Sequence, residues 1–202
     1  MSWQLQLDQT PYSFTLEDLP SLIHGEKGSG ASLLSLALAA ELYKQGHPLL
    51  IIAQSDDARE EFLKQTKSDD HLFTIKNESD LLDAEKNQVL FLHHKDIILL
   101  PMLLNLLPEK EERVILLKNF EDISDNVVTS LSEHRHIIYA GDLNLSSSKE
   151  YFLQLKYSSK IFFSPLRHDI RLTLPDLEKY QAYFLGRIAQ GKITLKTIHE
   201  QP

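Results

Sequence analysis

The chain has 202 residues, 42% of them hydrophobic and 25% charged, a globular rather than disordered composition. Lys plus Arg is 21 and Asp plus Glu is 29, so the net charge is -8, which argues against a general nucleic-acid surface. There is no cysteine, which excludes disulfide scaffolds and thiolate zinc sites. No stretch approaches the roughly 20 apolar residues that span a bilayer. Met1 to Asp8 lacks the layout of a secretory leader. The expected compartment is the cytoplasm.

Residues 1–17 carry Trp3, Leu5, Leu7, Tyr12, Phe14 and Leu16 at period two. They predict short strands joined by a turn at Asp8 to Pro11. Ser21 to His24 is a brief apolar run ending at a glycine loop. Ser32 to Gln45 predicts a helix with Leu33, Leu34, Ala37, Leu38 and Leu42 on one face, and Gly46 sits where the helix should stop. Pro48 to Ala53 predicts a buried strand, and Asp56 to Thr66 a polar helix with Ser55 as N-cap. His71 to Ile75, Val89 to Leu92, Arg113 to Leu117, His136 to Ala140, Lys160 to Phe163 and Lys192 to Thr197 predict further strands. Ser124 to Glu133, Ser146 to Lys156 and Leu177 to Ile188 predict helices. Residues 97–107, IILLPMLLNLL, read either as a core helix or as an exposed docking face, with Pro101 starting or kinking it. Apolar strands alternating with amphipathic helices imply an α/β three-layer domain around a mostly parallel sheet. One domain over 1–202 is expected: N-terminal strands at 1–17, a core at 18–175, and a C-terminal helix and edge strand at 176–202.

The sharpest local signal is Gly25-Glu26-Lys27-Gly28-Ser29-Gly30-Ala31-Ser32, between a short strand and a helix. Glycines let successive N–H groups turn inward, and the helix N-terminus adds positive potential, so this context suits a phosphate group. The pattern is G-x-x-x-x-G-K-[ST] with Ala31 in place of the lysine. Ser32, the residue that would hold magnesium, is kept. Losing the ammonium removes a charge-assisted contact of about 1.5–3 kcal/mol and should impair hydrolysis more than binding. Lys27 is either a partial replacement or a solvated loop lysine.

Ser13 to Ser32, SFTLEDLPSLIHGEKGSGAS, resembles the approach to the phosphate loop in the FtsK–HerA superfamily of RecA-like motor ATPases. Asp18, Leu19, Pro20, Ile23, Gly25, Gly28, Ser29, Gly30 and Ser32 carry the likeness. Val114 to Asp122 resembles the superfamily's acidic second motif, with Lys118 and Asn119 where Asp-Glu would stand. His136 to Ala140 resembles the strand that ends in the Thr-Gln sensor, and Gly141 and Asp142 replace that pair. Lys160 to Leu195 resembles the closing segment. The likeness runs over roughly residues 12–195.

The resemblance implies a RecA-like P-loop NTPase fold, with ATP or ADP and magnesium as cofactors if any is bound. The departures fall on charged positions while the loop glycines and apolar strands stay. The first expectation is therefore a catalytically degraded accessory or regulatory subunit. It would assemble with an active ATPase of a DNA translocation or type IV secretion machine, at the periphery of a membrane-bound assembly. The second is a weak ATPase that uses Lys27 and a displaced acid among Glu121, Asp122 and Asp142; each of these acids has a capping or loop role as its alternative. The third is a DNA-processing factor using Lys156, Lys160, Arg167, Arg171, Arg187, Lys192 and Lys196, whose alternative is a solvated rim. His93-His94 and His134-x-His136 are weighed as metal ligands; adjacent histidines on a strand face opposite ways, and no carboxylate–histidine pattern of the zinc-enzyme type accompanies either pair.

Overall fold

The computed structural model describes residues 2–66, 72–107, 113–147, 149–164, 174–178, 181–187 and 189–198. Their strands form one sheet of eleven. Seven run parallel and make the core: β3 (Ser21–His24), β4 (Leu49–Ala53), β5 (Leu72–Ile75), β6 (Val89–His93), β7 (Val114–Lys118), β8 (Ile137–Gly141) and β9 (Ser159–Phe162). Their order across the sheet is β9-β3-β8-β7-β4-β6-β5. β8 therefore lies between the strand that feeds the glycine loop and β7. Four antiparallel strands extend the β9 side: β10 (Gln181–Gly186), β11 (Gln190–Ile198), β1 (Ser2–Leu7) and β2 (Thr10–Pro11).

The parallel strands are buried on both faces, as their unbroken apolar runs require. α1 (Ala31–Lys44) and α2 (Asp57–Thr66) cover one face. α3 (Leu81–Ala84), α4 (Leu100–Leu106), α5 (Asp125–Leu131) and α6 (Lys149–Gln154) contribute to the other. Leu34, Leu38, Leu42 and Phe62 fill the first core. Leu81, Leu100, Leu103, Leu131 and Phe152 fill the second. α1 is buried beyond one stripe, because Leu5, Leu7 and Phe14 from the N-terminal segment join its cluster. The helix ends at Gly46 (φ 96), whose N–H reaches Tyr43 O while His47 N–H reaches Leu42 O, the Schellman arrangement.

The N-terminal hairpin turns at Asp8 (φ 47) and Gln9 (φ 70), the double left-handed geometry of a two-residue hairpin loop. Where a helix is expected over Leu177 to Ile188, the described residues Gln181–Gly186 form a strand instead, β10. Ala182 and Phe184 are buried while Tyr183 and Leu185 are half-buried, and both β9 and β11 offer β10 a pairing edge. β11 is consequently an inner strand, between β10 and β1, and not an edge. Ser55 does not cap α2 in the expected way, since its hydroxyl donates to the Asp57 carboxylate. Pro101 starts α4 rather than kinking it. In that segment Leu99, Leu100 and Leu103 are buried while Ile98, Met102 and Leu106 are exposed, so the run packs one side on the core. His71, Arg167 and Arg171 lie outside the described residues.

Candidate functional site

The glycine loop joins the carboxyl end of β3 to α1, at the end of a parallel sheet where ligands bind in open α/β folds. Gly28 (φ 85) and Gly30 (φ 102) adopt left-handed backbone, which other residues populate only at a cost. Gly30 is the N-cap, Ala31 the first helical residue and Ser32 the second. The loop is braced from within: Ser29 N–H donates to Glu26 O at 3.0 Å, and Ala31 N–H to Ser29 Oγ at 3.3 Å. Gly25 is packed so closely that a Cβ there would run into Ser29 Oγ and come within 3.0 Å of Phe163 Cβ. Among the described residues, the N–H groups of Gly28, Gly30 and Ser32 have no acceptor. The result is a backbone cradle with unspent donors at a helix N-terminus, which suits an anion. Glu26 and Lys27 are exposed, Ala31 is buried and Ser32 is exposed.

The second group of candidates meets this loop through β8. Gly25 N–H donates to Gly141 O at 3.2 Å, and β3 pairs with β8 so that His24 lies opposite Gly141. On the other side Lys118 lies opposite Ala140. Lys118 is thus two strand spacings, about 10 Å, from β3. Alternation along β7 puts Lys118 on the face of Val114 and Leu116, the face that α1 and α2 cover. It is 6% exposed. Burial pushes its amine down to about 8, against the opposing pull of Glu61 and Asp57 on α2. Among the described residues its ammonium makes no hydrogen bond and no ion pair. Asn119 leaves the strand in left-handed backbone (φ 55), its N–H donating to Ala140 O.

The acidic candidates sit elsewhere. Glu121 folds over Gly141, where a Cβ would strike its carboxylate, and it accepts the Asp142 N–H at 3.1 Å. This is the face of Tyr139 and Phe120, opposite α1. Asp142 is buried and accepts the Asn144 N–H at 2.9 Å in its own turn. Asp122 ends the short turn Phe120–Asp122 that follows β7. The structure therefore joins Lys118 to the loop's side of the sheet and places Glu121 on the other side.

His24 carries no motif and reads in the sequence only as the end of an apolar run. It is fully buried, and its Nδ1 accepts the Leu143 N–H at 3.1 Å, coupling the strand before the loop to the turn after β8. Nδ1 is an acceptor there, so the Asp142 carboxylate at 3.7 Å is not its hydrogen-bond partner. A histidine closing an otherwise apolar strand was the signal available.

Among the described residues no group of three His, Asp or Glu could hold a metal, so a magnesium ion here would rest on the Ser32 hydroxyl and phosphate oxygens, with the Lys118 ammonium opposing it from the same end and face of the sheet. His93 Nδ1 is occupied by the Lys95 N–H. Of the C-terminal basic residues, Lys160 lies over the Tyr157 ring at 5.5 Å, while Lys156 and Arg187 are exposed. Among the described residues no helix is long and apolar enough to cross a membrane.

No family model and no curated protein matches the chain in sequence. Solved structures do match in shape. The genome packaging NTPase B204 from Sulfolobus turreted icosahedral virus 2, in complex with sulfate, superposes with a TM-score of 0.60 at 16% identity, over 92% of this chain and 99% of that one. Its complex with ATP-gammaS gives 0.59 at 12%, over 90% and 98%. EssC (ATPases 2 and 3) from Geobacillus thermodenitrificans gives 0.54 at 13%, over 97% of this chain and 41% of that one. The fold is that of the P-loop NTPases. In shape it is similar to the packaging NTPase and to the EssC ATPases, at low sequence identity.

Proposed function

We propose that this chain is a nucleotide-binding subunit that has left catalysis behind and serves as an accessory or regulatory partner of an active P-loop ATPase. The observation that carries the reading is the combination at the carboxyl ends of β3 and β7. The cradle of residues 25–32 keeps its glycine backbone and unspent N–H donors, while Ala31 and Lys118 occupy positions where phosphoryl transfer needs a lysine and a carboxylate. Transfer depends on charge stabilisation and water positioning, so a cradle without them retains affinity more readily than turnover. Glu121, tied to the Asp142 N–H on the far face, is poorly placed as a displaced catalytic acid. The shape neighbours include a genome packaging NTPase and the EssC ATPases 2 and 3, which supports partners drawn from a DNA translocation or type IV secretion machine.

Calorimetric titration with ATP and ADP, run beside a phosphate-release assay, tests this. Binding without turnover is expected. Turnover that disappears in Lys27→Ala would instead establish the weak-ATPase reading. Co-purification from the native host should recover an active ATPase.

A further inference from the structure

The cradle and the metal chemistry of a P-loop disagree in this chain, and Lys118 is where they disagree. We propose that the Lys118 ammonium is the resident cation of the cradle, standing in for magnesium, so that the site takes a di- or triphosphate chain without metal; this rests on the nucleotide reading above.

Four observations support it. Lys118 closes β7 at the same end of the sheet as residues 25–32, across Ala140 from the strand that meets Gly25. It lies on the face that carries α1, whose N-terminus forms the cradle's floor. It is 6% exposed and makes no hydrogen bond or ion pair among the described residues, while its Nζ is not among the polar atoms closed off without a partner, so the stem is buried and the charged tip stays open to an incoming anion. The loop itself has lost its lysine, so a polyphosphate would otherwise meet only backbone dipoles.

The charged groups facing Lys118 are Glu61 and Asp57, both on α2. Its neighbours across the sheet, Ala53 and Ala140, carry no charge. The two carboxylates act through space and leave the amine depressed to about 8. An incoming phosphate would raise it again, so binding takes up a proton near that pH and weakens above it.

The test is calorimetry on the full chain with inorganic tripolyphosphate and with ATP, in EDTA and in excess magnesium, from pH 7 to 9.5. The pH series uses ATP above about pH 7.5, where a terminal phosphate with a pKa of about 6 has already lost its proton. We expect equal affinity with and without magnesium, a loss of about tenfold or more in Lys118→Met at pH 7, recovery in Lys118→Arg, and a wild-type affinity that falls toward that of the Met variant by pH 9.5. Binding that requires magnesium, or a folded Lys118→Met that binds as tightly as wild type, overturns the inference and leaves the nucleotide reading standing. Tripolyphosphate binding without ATP binding does the reverse. Binding of neither overturns both. Should Lys118→Met fail to fold, a wild-type affinity flat across the pH range overturns the inference by itself.

Discussion

The backbone N–H of Gly25 donates to the carbonyl of Gly141 at 3.2 Å, so the first residue of the loop and the last residue of β8 form one hydrogen-bonded unit. His24, one residue earlier, takes the Leu143 N–H two residues past Gly141. The loop is thus clamped to its neighbouring strand before it turns into α1. A cradle held in this way does not need a ligand to keep its shape.

Gly25→Ala tests the clamp. The new methyl would strike Ser29 Oγ, with Ala31 Cβ at 2.9 Å and Phe163 Cβ at 3.0 Å, so the loop must move. We expect a loss of about 1–3 kcal/mol together with weaker tripolyphosphate binding. Gly28→Ala meets no atom within 4 Å but sits at φ 85; it should cost about 1–2 kcal/mol from backbone strain without displacing Ser29. Thermal melts of both, beside calorimetry, separate crowding from strain. A Gly25→Ala protein as stable as wild type would remove the clamp from the account.

His24→Phe keeps the ring volume and removes the acceptor. Leu143 N–H, buried with it, would lose its partner at a cost of about 1–3 kcal/mol. Hydrogen exchange at the Leu143 amide should accelerate by a corresponding factor, and unchanged exchange would show that the bond contributes little.

Lys118→Met should raise stability while it lowers affinity. The folded-state value near 8 lies below the ordinary 10.5, so between those values the unfolded chain binds more protons and stability rises with pH. Below pH 8 the folded protein bears the whole penalty, at most about 3 kcal/mol at 1.36 kcal/mol per unit. Methionine removes it. The variant should melt higher at pH 7, by about 2–4 °C per kcal/mol gained, and the gap should close by about pH 10. Lower stability at pH 7 would mean that Glu61 and Asp57 outweigh the burial of the amine.

Much of this was legible in the chain before any coordinates. Runs such as LLIIA and VILLK are too short for a core helix and read as strands covered on both faces, and Gly46 marked the end of α1 because its left-handed backbone excludes most other residues. The loop was legible for the same reason, at Gly28 and Gly30. β10 was not, because Leu177, Tyr180 and Phe184 also suit a helical stripe, and the choice was made by the free edges of β9 and β11, which no local pattern records. The side on which each charged residue falls depends on where a strand stops. β7 ends at Lys118 and the chain turns at Asn119, so Lys118 joins the α1 face while Glu121 crosses to the other.

Restoring the loop lysine tests whether the cradle still has the shape for a ligand. Ala31 is the first helical residue, so Ala31→Lys places an ammonium at the helix N-terminus beside the N–H groups of Gly30 and Ser32. A new charge-assisted contact of about 1.5–3 kcal/mol should raise ATP affinity by roughly tenfold or more. Phosphate release should stay absent, because Lys118 and Asn119 still leave no carboxylate to position water or metal. Adding Lys118→Asp supplies that carboxylate on the α1 face, and with it affinity should become dependent on magnesium. Calorimetry in EDTA and in magnesium on the single and double variants reads both steps. An Ala31→Lys protein that binds no better than wild type would mean that the backbone of residues 25–32 does not present its donors to a phosphate.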